Sequence, residues 1–102
     1  MDIEQERIGK STVALTLNGR LDTVNAPLLG SKIEEQEDIT ELELDFKGVT
    51  YISSMGLRVL LQAKKTMKTR GVRMSIKNMR DSVREIFEMT GFLNLMMKEE
   101  QA

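Results

Sequence analysis

Val49-Thr50-Tyr51-Ile52-Ser53-Ser54-Met55-Gly56-Leu57-Arg58-Val59-Leu60-Leu61 is the stretch on which the fold turns. It begins with β-branched and aromatic residues, which suit a strand. Two serines and a glycine then interrupt it. Beyond them Leu57, Leu60, Leu61 and Met67 recur at helical spacing, and Val59 and Ala63 widen the stripe. The pattern predicts a strand that ends and a long helix, from about Ser54 to Arg70, that starts almost at once.

Working outward, residues 40 to 46 alternate. Leu42, Leu44 and Phe46 share one face, and Glu41, Glu43 and Asp45 share the other. Residues 72 to 77 do the same, with Val72, Met74 and Ile76 against Arg73, Ser75 and Lys77. Nearer the N-terminus, Val13, Leu15 and Leu17 alternate with Thr12, Thr16 and Asn18. Residues 2 to 8 are a weaker strand candidate, and Gly9-Lys10-Ser11 between them suggests a hairpin. Leu21-Asp22-Thr23 leads into a helix with Asn25 as expected N-cap, Pro27 in its first turn and an end near Gln36. A further helix is expected from Arg80 to Thr90, with Val83, Ile86 and Phe87 on one side and Gly91 as C-cap. Asn78 and Asp81 are both candidates for its N-cap. Residues 92 to 97 suit a short last element, and Lys98 to Ala102 a tail.

The expected order is β-β-α-β-α-β-α. Strands separated by helices imply parallel pairing through right-handed crossovers. Strands buried on both faces would be apolar throughout, whereas these carry charge on alternate positions. The expectation is therefore an α/β fold in one domain over residues 1–102. Its mixed sheet packs helices on one face and leaves the other largely exposed.

The composition narrows the function. The chain has 102 residues and a formal net charge of -1, from 15 basic and 16 acidic side chains. That supplies no positive field for nucleic acid. The basic stretch Lys64, Lys65, Lys68, Arg70 and Arg73 reads as a solvated helix end, where cations oppose the dipole. There is no cysteine and no histidine, so thiolate chemistry and the commonest general base and metal ligand are excluded. No signal peptide or membrane-length apolar run is evident, and a cytoplasmic protein is expected.

No phosphate-loop pattern is present; Gly30, Gly48, Gly56 and Gly71 are isolated. Glu41, Glu43 and Asp45 read as a solvated strand face rather than a metal site. A Ser54–Lys64 dyad is out of reach, since ten residues of helix span about 15 Å. No catalytic residue, metal site or cofactor is expected. The Ser53-Ser54 pair stands apart. One of the two serves as an N-cap, at about 1 kcal/mol. A serine at a helix start can also bear a phosphate, whose charge the free N–H groups and the dipole favour. An added charge close to -2 would disturb any partner docked there.

Four segments together resemble the STAS domains of bacterial anti-sigma factor antagonists over essentially the whole chain. They are Gly19-Arg20-Leu21-Asp22, Leu44-Asp45-Phe46, Tyr51 to Leu57, and Val83-Arg84-Glu85-Ile86-Phe87 through Thr90-Gly91-Phe92. The resemblance implies a four-stranded mixed sheet flanked by helices on one side. It implies a phosphorylation-regulated protein-binding switch in transcription regulation, an anti-anti-sigma factor. Its partners would be an anti-sigma factor that is a serine kinase of the histidine-kinase-like ATPase type, and a serine phosphatase, with no direct nucleic-acid or membrane contact. The unphosphorylated form would sequester the kinase, and phosphorylation would release it. The family's phosphoacceptor in its Asp-Ser-Ser/Ala-Gly motif falls on Ser54, with Gly56 as the motif glycine. Asp22 matches a loop aspartate near it, so Asp22, Ser53, Ser54, Met55, Gly56 and Arg58 are the expected partner-binding residues. Two positions depart from the motif. Ser53 replaces the acidic residue, which makes it a second candidate acceptor, and Met55 replaces a small one. The alternative is an unphosphorylated STAS subunit of a transport or sensing complex, with Ser54 only a cap.

Overall fold

The structure is a computed structural model that describes residues 1–92 and 94. Its elements are β1 (Asp2–Arg7), β2 (Thr12–Leu21), α1 (Ala26–Glu34), β3 (Glu41–Ile52), α2 (Ser54–Thr69), β4 (Arg73–Lys77) and α3 (Asp81–Thr90). The expected β-β-α-β-α-β-α order is present, and the sheet is four-stranded in the order β1-β2-β3-β4. β1 runs antiparallel to β2, while β2–β3 and β3–β4 are parallel. The mixed sheet follows from the connections: a short turn joins β1 to β2, and a helix joins each later pair.

Alternation decides the core. Val13 pairs with Leu42, and Leu15 with Leu44, which pairs in turn with Ile76. Leu15, Leu17, Leu42, Leu44 and Phe46 are wholly buried beneath the helices. Each such side chain contributes about 1.5–3 kcal/mol relative to exposure. Ala26, Leu29 and Ile33 come from α1, and Val83 and Phe87 from α3.

β2 and β3 run longer than their alternating stretches. The register slips between Thr16 and Asn18 and again between Gly19 and Arg20. Such irregularities break the period of two without ending the strand. They carry β2 to Leu21 and β3 to Ile52, which places both carboxyl ends side by side at one end of the sheet.

The buried stripe of α2 is Leu57, Leu60, Ala63, Lys64 and Met67, with Leu61 only half-buried. Lys64 is therefore not part of a solvated helix end: it is 4% exposed, and its Nζ donates to the Met74 carbonyl at 2.9 Å. Its aliphatic stem packs while the ammonium reaches a backbone acceptor. The acidic face of β3 is also engaged. Glu43 pairs with Lys77 at 2.6 Å, and Asp45 accepts from the Lys47 amide at 2.9 Å.

The caps differ from expectation at two helices. Asn25 has helical backbone angles and makes no side-chain cap. Arg80 precedes α3 in extended conformation, so neither Asn78 nor Asp81 is its N-cap. Gly91 ends α3 at φ 77°, the left-handed region that glycine enters without strain. Of residues 92–97, Phe92 and Asn94 are helical; the remainder, and the expected tail, lie outside the described residues.

Candidate functional site

The site is built where β2 and β3 end. In parallel sheets the loops beyond the carboxyl ends of strands are where function collects. Leu21 and Ile52 are paired there, α1 begins a few residues after Leu21, and α2 begins right after Ile52.

The Leu21 carbonyl ties the two loops together. It accepts the Ser53 amide at 3.0 Å and the Ser53 Oγ at 3.2 Å. Ser53 Oγ in turn accepts the Gly56 amide at 3.1 Å. Ser53 is thus the N-cap of α2, and its hydroxyl is committed as both donor and acceptor. A carboxylate in its place could accept from Gly56 but could not donate to Leu21. Replacing Ser53 by alanine is expected to cost about 1 kcal/mol. Thermal unfolding would register this as a Tm lower by about 5 °C.

Ser54 is the first residue of α2, and its side chain is exposed. No hydrogen bond joins its hydroxyl to another described residue. Met55 is half-buried against the core, Arg58 is exposed, and Gly56 is buried. Gly56 therefore offers no surface of its own. It allows α2 to start close against β2: a Cβ on it would sit 2.8 Å from the Leu21 carbonyl oxygen.

Asp22 shapes the neighbouring loop. Its Oδ1 accepts the amides of Val24 at 3.1 Å and Asn25 at 2.9 Å. Asn25 in turn donates from Nδ2 to the Arg20 carbonyl at 2.9 Å. Asp22 thus performs the role expected of Asn25, satisfying amides at the start of α1.

Three surface features here were not picked out from sequence. Val24 is 76% and Leu28 60% exposed. Leu28 falls outside the Ala26, Leu29, Ile33 stripe, so the period of α1 already placed it outward. Arg20 pairs with Tyr51 across the strands, its guanidinium carbon 4.3 Å from the ring centroid. That is a cation–π contact.

A shallow groove of about 190 Å³ runs between α1 and α2, lined by Pro27, Gly30, Ser31, Glu34, Val59, Gln62 and Ala63. A larger recess of about 390 Å³ lies at the opposite end of the strands, among Glu34, Gln36, Glu37, Asp38, Ile39, Arg70 and Val72. Neither is lined by Asp22, Ser53 or Ser54. Among the described residues no group of acidic side chains is placed to hold a metal ion, and no helix is long and apolar enough to cross a membrane.

The sequence model of the STAS domain matches residues 3–102. The chain belongs to the STAS domain family. BtrV of Bordetella bronchiseptica, named as an anti-sigma factor antagonist, is 32% identical over 97 residues, covering 93% of this chain and 83% of its own length. Two solved structures show the shared fold. Unphosphorylated SpoIIAA, an anti-sigma factor antagonist, superposes with a TM-score of 0.77 at 22% identity, covering 89% of this chain and 82% of its own. A sulfate transporter family protein from Wolinella succinogenes superposes at 0.80 and 17% identity, covering 93% and 79%. The STAS fold thus serves proteins of different kinds. The residues at the start of α2 must carry the functional reading.

Proposed function

We propose that this STAS domain is an anti-sigma factor antagonist, a binding protein rather than an enzyme, switched by phosphorylation of Ser54. One observation carries the reading: of two adjacent serines, Ser53 spends its hydroxyl on Leu21 and Gly56, while Ser54 presents its hydroxyl to solvent. The likeness to BtrV, at 32% identity over nearly the whole chain, supports the choice of partner class.

In the unphosphorylated state the loop at Asp22 and the first turn of α2 form the docking surface for an anti-sigma factor that is itself a serine kinase. The kinase transfers the γ-phosphoryl group of ATP to Ser54 Oγ. The O–P bond forms as the bond to the ADP oxygen breaks, and the hydroxyl proton passes to a base on the kinase. The phosphate carries a charge close to -2 into the docked surface, and the complex separates. A serine phosphatase resets the switch.

Intact mass after incubation with ATP and the cognate kinase tests the acceptor. Wild type and Ser53→Ala are expected to gain one phosphate and Ser54→Ala none. A phosphate retained by Ser54→Ala and lost by Ser53→Ala would reassign it.

A further inference from the structure

Arg58 follows Ser54 by one helical turn on α2, and both side chains are exposed. Residues four apart on a helix lie on one face, their Cβ atoms roughly 5–6 Å apart. Arg58 is the only charged residue between Ser54 and Leu61. Among the described residues it makes no ion pair or hydrogen bond that would hold it elsewhere. The first turn of α2 has no acidic residue to compete for it.

We propose that Arg58 closes over the phosphate of phosphorylated Ser54 within the same helix, so that modification adds an anion and withdraws a cation from the docking surface. This rests on the reading of Ser54 as the phosphoacceptor. A guanidinium can give two parallel N–H donors to phosphate oxygens, and the i,i+4 spacing needs no change in the backbone. The other arginine at this end of the sheet, Arg20, is already stacked on Tyr51. Asp22, in the loop just after β2, is held by the amides of Val24 and Asn25 and adds negative charge to the same end of the sheet. Before phosphorylation Arg58 is free to meet an acidic group on the partner. Afterwards it is occupied at home. The switch therefore removes an attraction as well as adding a repulsion.

The test installs phosphoserine at position 54 by genetic encoding and follows the second phosphate ionisation by phosphorus NMR. An adjacent guanidinium favours the dianion and lowers this pKa from its ordinary value of about 6. The wild-type phosphoprotein is expected to titrate about 0.3 of a unit below Arg58→Ala, with Arg58→Lys between them. Arg20→Ala is expected to titrate with wild type. Coincident curves for wild type and Arg58→Ala would overturn the proposal. So would a larger shift from Arg20→Ala. Because the phosphate is installed rather than transferred, this result is independent of any kinase. The intact-mass experiment separately decides whether Ser54 is the acceptor.

Discussion

Replacing Gly56 by alanine is expected to destabilise the domain by about 2–3 kcal/mol, the range of overpacked cores. Helix propensity alone points the other way, since alanine is favoured over glycine by about 1 kcal/mol inside a helix. The steric term decides. The new Cβ would lie 2.8 Å from the Leu21 carbonyl oxygen, 2.8 Å from Ile52 Cγ1 and 3.1 Å from Leu21 Cγ. A side chain can rotate away, but the Leu21 carbonyl cannot move freely. It accepts both the amide and the hydroxyl of Ser53, and its residue pairs with Ile52 in the sheet. Relief requires α2 to lift off β2, which breaks the cap and shifts Ser54 relative to the Asp22 loop. Thermal unfolding is expected to show a Tm lower by about 10 °C or more. An unchanged or raised Tm would mean that the helix start has room and that propensity governs the position.

The same contact shows what the sequence could and could not convey. The strand that ends at Ile52 and the helix that opens at Ser54 are both legible, because alternation and helical spacing record which side chains are buried. Leu42, Leu44 and Phe46 state their face unaided. Long-range polar contacts leave no such trace. That the Leu21 carbonyl would occupy Ser53, and so leave Ser54 free, depends on two strands ending side by side. Asp22 caps α1 from outside the helix, through a loop whose shape no local pattern encodes. Lys64 is instructive in the other direction. Leu57, Leu60, Lys64 and Met67 lie at helical spacing, so the period placed Lys64 inward while its charge suggested solvent. A long stem and the Met74 carbonyl reconcile the two. The far end of β2 is hidden for a related reason: the register slips near Asn18 and Gly19 erase the alternation that would have carried it on to Leu21.

Ser54→Asp is expected to weaken binding to the cognate anti-sigma kinase by about tenfold to a hundredfold, equivalent to about 1.4–2.7 kcal/mol. Ser54→Ala is expected to bind as tightly as unmodified wild type and to remain bound when ATP is supplied. The two changes are matched in their effect on the fold. Ser54 is exposed, bears no cap hydrogen bond and occupies the first helical position, where an aspartate is favoured by the dipole and an alanine by propensity. Neither change touches Ser53, Gly56 or the Leu21 carbonyl. A loss of affinity in Ser54→Asp alone therefore reports on the docked surface and not on unfolding. The carboxylate carries one charge where a phosphate carries nearly two, and its planar group offers fewer acceptors to Arg58. The mimic should accordingly weaken binding less than true phosphorylation does. Calorimetric titration of the kinase with wild type, both variants and the phosphoserine protein would place the four in order: alanine and wild type tightest, aspartate weaker, phosphoserine weakest. Equal affinity of Ser54→Asp and wild type would remove Ser54 from the interface and with it the switch.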